Sequence, residues 1–94
     1  MVIQWSNFAK TNLKDFIHYS KISNPNIYVQ KLIFNVSILE DNPKAGKVIT
    51  HKNTVEIRQL VYKMHRILYH IYEDEIHIDA VLHSHFNLNN YLKK

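Results

Sequence analysis

The sequence predicts an α+β domain of order βααβββ, with a helical hairpin packed on one face of a small, mainly antiparallel sheet. Three observations predict it. Residues 55–85 are dense in Val, Ile and Tyr and alternate in three runs, about 55–61, 64–72 and 75–83, as strands on a half-buried pleated surface do. Two segments with helical apolar spacing precede them, broken by Ser23-Asn24-Pro25. The 94 residues, 46% of them hydrophobic, can bury roughly two-thirds of their unfolded surface, enough for one core without staples. The expectation is a single domain over residues 1–94.

In chain order, Val2 to Trp5 reads as a short first strand, and Ser6 is a good N-cap. From 7 to about 22, Ala9, Leu13, Phe16 and Ile17 recur at helical spacing, with Lys10, Lys14 and Asp15 elsewhere. Asn24 can cap the second helix and Pro25 suits its first position. Over 27–40, Tyr28, Leu32, Val36 and Leu39 form one stripe, which Ile33, Phe34 and Ile38 widen beyond one contact face. Residues 41–47, with one of the two prolines and the only glycine, read as a loop, and 48–53 as a short strand or more loop. Beyond His85 the chain reads as a tail or a short helix.

Register follows from alternation. A two-residue turn at Glu73-Asp74 sets Tyr72 opposite Glu75, Ile71 opposite Ile76, Tyr69 opposite Ile78 and Ile67 opposite Ala80. Arg66, Leu68 and His70 then share the other side with His77, Asp79, Val81 and His83. For the earlier hairpin a three-residue loop, Val61-Tyr62-Lys63, keeps Arg58 out of the core, since burying an unpaired guanidinium is costly. It puts Val55 and Ile57 on the apolar side, and Glu56 and Arg58 beside Arg66.

Composition narrows the function. There is no cysteine, hence no disulfide framework or thiolate chemistry. No apolar run approaches the roughly 18 residues of a membrane span, and the N-terminus lacks the pattern of a signal peptide. An intracellular, cytoplasmic protein is expected. Twelve basic against eight acidic residues give net +4, which suits solubility as well as an acidic partner.

The chain resembles the RelE/ParE superfamily of toxins from bacterial type II toxin–antitoxin systems. The resemblance runs over nearly the whole length. It is carried by Trp5-Ser6 with Ala9 and Leu13, the run L-E-D-N-P-K-A-G at 39–46, I-R-Q-L-V-Y at 57–62, H-R-I-L-Y at 65–69 and I-H-I-D-A-V-L-H-S at 76–84. The pattern is most similar to the ParE-like branch of plasmid stabilisation proteins. The resemblance implies neutralisation by a cognate antitoxin, with operator DNA contacted only through that antitoxin. It also implies one of two activities, poisoning of DNA gyrase or cleavage of mRNA on the ribosome. ParE-like relatives often close the last strand with H-S-x-R, where this chain has His83-Ser84-His85-Phe86. A nuclease branch ends on His-Tyr and has His-Arg-x-x-Tyr, which His85-Phe86 and His65-Arg66-Ile67-Leu68-Tyr69 match in part.

Cleavage through a 2′-hydroxyl needs a base, an acid and cations at the phosphate. The candidate catalytic residues, should the chain be a ribonuclease, are Arg58, Arg66, His83 and His85. The arginines would grip the phosphate, and Glu56 or a histidine would move protons. The same residues also suit a salt-bridge cluster on a sheet surface, or an antitoxin-docking face. His83-x-His85 has a spacing that can bind zinc, but no third ligand is evident, so no metal and no cofactor is expected. Tyr28, Tyr62, Tyr69 and Tyr72 could stack on bases, with core packing the default for Tyr69. Three readings stand: a gyrase-binding ParE-like toxin, a ribosome-dependent mRNA interferase, and a non-toxic relative kept for antitoxin binding.

Overall fold

The structure, a computed structural model, describes residues 1–92. Strand β1 (Val2–Trp5) leads into helix α1 (Asn7–Tyr19), and helix α2 (Pro25–Val36) ends in a 3-10 turn over Ser37–Glu40. Four strands follow, β2 (Lys47–Lys52), β3 (Val55–Tyr62), β4 (His65–Tyr72) and β5 (Glu75–His83), then a short helix α3 (Leu88–Leu92). The sheet order is β1-β5-β4-β3-β2, with β1 parallel to β5 and every other pair antiparallel. This is the predicted α+β arrangement, and 48–52 of the ambiguous stretch 48–53 pair as a strand, with Asn53 in the turn.

Local chemistry explains the helix ends. Ser6 caps α1 by accepting from the Ala9 N–H at 3.0 Å, satisfying one of the free first-turn donors. The helix stops at Tyr19, short of the expected 22, because Ser20 is already extended. Asn24 holds the cap position of α2 with φ 54° and no side-chain cap bond. It works through its carbonyl, which accepts from Ile27 and Tyr28 N–H. Ala9 and Leu13 of α1 and Val29, Leu32 and Val36 of α2 meet Ile67, Tyr69, Ile76, Ile78 and Val81 of the sheet in the main core, with Leu39 of the 3-10 turn. Phe16 and Tyr28, expected in that layer, pack at its border.

The hairpin at Glu73-Asp74 has the predicted register from Tyr72↔Glu75 to Tyr69↔Ile78, and both turn residues have positive φ. Beyond that point the prediction fails. Leu68 pairs with Ala80 and Ile67 with Val81, so Asp79 is an extra residue, a β-bulge. The bulge turns Val81 into the main core and sets His83 beside His65 on the helix side. It also brings Ala80 and Leu82 together with Leu68 into a second cluster on the back of the sheet, where Ile49, Leu88 and Tyr91 pack over it. The back is therefore a small core under α3, not a purely polar side.

The β3–β4 connection differs too. Tyr62 pairs with His65, giving a two-residue turn at Lys63-Met64, and Arg58 pairs with Tyr69. Arg58 thus stands on the helix side, whereas Val55 and Ile57 move to the back with Leu68 and His70. The cost assigned to a buried guanidinium applies to an unpaired one, and Arg58 has partners.

Candidate functional site

Loop 41–46 lies against β3 and β4 on the helix side of the sheet, and two side chains clamp it. The fully buried Tyr69 donates its hydroxyl to Pro43 O at 2.8 Å and accepts from Gly46 N–H at 2.8 Å. Arg58 donates from Nη1 to Gly46 O at 2.8 Å and to Lys44 O at 3.4 Å, and from Nη2 to Glu56 Oε1 at 3.1 Å. Its side chain is only 11% exposed. Burial raises the Tyr69 pKa, and the Gly46 hydrogen bond and the Arg58 charge oppose that rise. Glu56 also lies 4.0 Å from His51 Nε2. These three, with Thr54, Val55 and Ile71, line an open hollow of about 460 Å³.

Arg66 is on the other side of the sheet. Its Nη2 donates to Ser84 O at 3.0 Å, and Ser84 N–H in turn donates to Met64 O at 2.7 Å. The predicted grouping of Arg58 with Arg66 on one face is therefore corrected, since the two-residue turn shifts β3 by one position. His83 and His85 do come together, with rings stacked at 5.1 Å and the His85 N–H donating to His83 Nδ1 at 3.1 Å. They gather at the end of β5, on the helix side with His65, away from the loop that Arg58 grips.

One histidine outside the sequence-predicted candidates is the most buried of the described histidines and charged side chains. His65 is 5% exposed. Its Nδ1 lies 2.9 Å from the Tyr28 hydroxyl, and Phe16 meets its ring edge-on at 4.7 Å. Burial, and secondarily the neighbouring His83, hold its pKa below the ordinary histidine value. Tyr28 accepts from Met64 N–H at 3.2 Å, so the aromatic box also ties α2 to the β3–β4 turn. The sequence signal was present in the alternation that puts His65 on the side of Ile67 and Tyr69, but a histidine in that pattern reads as surface.

The helical hairpin presents another kind of surface. Ile27, Ile33, Phe34 and Ile38 remain 49%, 42%, 77% and 45% exposed. Ile33, Phe34 and Ile38 are the residues that widen the apolar stripe, and all four remain uncovered because one helix face suffices for the core. Among the described residues no group of three or more His, Cys, Asp or Glu could hold a metal ion, and no helix is long and apolar enough to cross a membrane.

A helical hairpin on a mixed five-stranded sheet, with an apolar helix face left open, defines an α+β protein of the RelE/ParE-like kind. The chain matches, over residues 3–88, the family described as the ParE toxin of the type II toxin–antitoxin system parDE. It belongs to that family, the toxins of such systems, and the family implies an antitoxin as its partner. No curated protein matches the chain.

Proposed function

We propose that this chain, acting as one domain over residues 1–94 in the cytoplasm, arrests growth by binding DNA gyrase, and that its antitoxin docks on the open face of α2. The observation that carries the reading is the separation of Arg58 from Arg66. Each guanidinium holds backbone carbonyls on a different side of the sheet, and a phosphodiester gripped by one is not gripped by the other. The exposed Ile27, Phe34 and Ile38 suit a partner helix laid in a groove. Ribosome-dependent message cleavage is the second reading, and one feature favours it. Glu56, Arg58 and His51 converge on the open hollow, a base, a cation and a proton carrier within reach of one another.

Induced expression separates the two. Gyrase poisoning halts replication and triggers the DNA-damage response with message intact. Interferase action halts translation first and leaves messages cut at codon positions. If cleavage appears, and Glu56→Gln or His51→Ala abolishes it in a folded protein, gyrase binding is refuted. Antitoxin docking is tested by hydrogen exchange, which should slow over α2 in the complex. Unchanged protection there, with tight binding, would place the antitoxin elsewhere.

A further inference from the structure

The back of the sheet carries a feature that neither reading of the toxin uses. It carries a half-open cavity of about 410 Å³, within the range of about 300–1,000 Å³ typical of small-molecule sites. Val55, Ile57 and Leu68 line it from the sheet, Tyr91 and Leu92 from α3, and Lys52 and Asn53 stand at its exposed rim. Its remaining lining is polar and built as a unit. His70 Nδ1 lies 2.8 Å from Asp79 Oδ2, with both side chains about three-quarters buried. The His77 ring stacks on His70 at 5.1 Å and 14°, holding its plane, and His77 Nε2 lies 3.3 Å from Glu75 Oε1. The Asp79 carbonyl accepts from Ser6 Oγ at 3.0 Å, so the bulge that carries the carboxylate is itself tied down.

This arrangement selects its ligand. An ionised carboxylate can only accept, so the proton between the pair sits on His70 Nδ1, and in the tautomer this fixes, the imidazole lone pair is on Nε2. The cavity's polar end therefore offers acceptors, the Nε2 lone pair and the carboxylate, and the Asp79 charge disfavours an anion beside it. The Asp79 charge also helps burial hold the Tyr91 phenol above its usual pKa, which places Tyr91 within the field of that end. The rest of the lining is branched aliphatic with one aromatic ring. Lys52 lines the same cavity, and its positive charge disfavours a cation that the carboxylate and the ring would otherwise attract.

We propose that this cavity binds a small, flat, neutral heteroaromatic molecule that gives an N–H to His70 and Asp79 and lays its ring on Val55, Ile57 and Leu68. The bulge explains why the room exists. It sets Asp79 and Ala80 in succession on this face, the carboxylate lining the cavity and the small Ala80 buried beside Leu68 at its floor. The site lies opposite the helical hairpin, so it is independent of antitoxin docking on α2 and of the gyrase reading.

The test is a ¹H–¹⁵N NMR titration of the full chain near neutral pH with benzimidazole, and with 1-methylbenzimidazole, which keeps the rings and lacks the N–H. The expected result is saturable shifts at Val55, Ile57, Leu68, His70 and Asp79. Affinity for the methylated ring should be about tenfold weaker or worse, as a buried acceptor left unpaired implies. His70→Phe combined with Asp79→Asn should reduce the preference between the two rings to less than about twofold. Ile57→Trp, which fills the cavity from a partly exposed position, should abolish binding of both if that double variant fails to fold. Shifts that do not saturate, shifts confined to the helical hairpin, equal affinity for the two rings, or undiminished binding in Ile57→Trp would each overturn the assignment.

Discussion

Tyr69 offers the sharpest test of how the loop 41–46 is held. Its hydroxyl has two partners, Gly46 N–H and Pro43 O, both at 2.8 Å. Tyr69→Phe keeps the ring in the core and deletes only that oxygen. The Gly46 donor is then left in a buried place, at a cost of about 1–3 kcal/mol for one unsatisfied group. The Pro43 carbonyl sits in a partly buried bond and can turn to water, so the two losses do not double. For a domain of this size the drop in Tm is between about 4 and 24 °C. Thermal and urea unfolding of the free toxin measure it. A change below about 0.5 kcal/mol would refute the clamp.

Gly46→Ala attacks the same contact from the other side. A Cβ there would lie 2.6 Å from the Tyr69 hydroxyl, 2.7 Å from its Cε1 and 2.9 Å from Gln59 O. Gly46 does not have positive φ, so the difficulty is space, not backbone conformation. Overpacking of this kind costs about 1–3 kcal/mol. Because both changes act on one contact, the double variant should depart from additivity by about 0.5–3 kcal/mol. Strict additivity would mean that the glycine and the tyrosine are not coupled.

Other outcomes follow from the same geometry. Arg58→Ala should free the loop, and limited trypsin digestion should then nick after Lys44 or Lys47 while Arg66→Ala leaves that region resistant. Phe34→Asp, at a site 77% exposed, should change stability by less than about 0.5 kcal/mol yet weaken antitoxin binding in calorimetry. His65 should make stability depend on pH. Its folded pKa lies below the unfolded value of about 6.5, so the unfolded chain binds the proton first. Its contribution is therefore complete above about pH 6.5 and is lost as pH falls from there through the folded value. Tyr28, Phe16 and His83 face it and Tyr62 is its cross-strand partner, and urea midpoints across that range should flatten in His65→Asn.

The parts of the fold legible in the sequence are those where one period dominates. The stripe Leu32, Val36, Leu39 and the run Ile67, Tyr69, Ile76, Ile78 announced their burial by spacing alone, and all are fully buried. Glu73-Asp74 was readable as a turn because it interrupts two alternating runs. The candidate site was less legible, for two reasons. A bulge adds one residue without any mark in composition, so Val81 and His83 were assigned to the wrong face. The position of Arg58 was argued from the cost of an unpaired charge, but its partners are the Gly46 and Lys44 carbonyls. Backbone acceptors from a loop cannot be counted from side-chain types.

The Asp79 bulge is where these corrections meet. In a strictly alternating strand, Ala80 and Leu82 would share the helix side with Ile76 and Ile78, and Val81 would face out. That would leave α3 without an apolar seat, since Leu68 alone is too small a platform for Leu88 and Tyr91. With the extra residue, the first half of β5 gives Ile76 and Ile78 to the main core. Its second half gives Val81 to that core and Ala80 and Leu82 to the back. One strand thus serves two cores, and the unpaired residue at the crossover is the carboxylate that orients His70. Inserting or deleting at 79 would disturb α3, the cavity and the His65–His83 neighbourhood together. Changes at the exposed Ile27, Ile33 and Phe34 of α2 would leave all three in place. The two faces can therefore evolve separately, the helix side answering to a protein partner and the back to whatever the cavity holds.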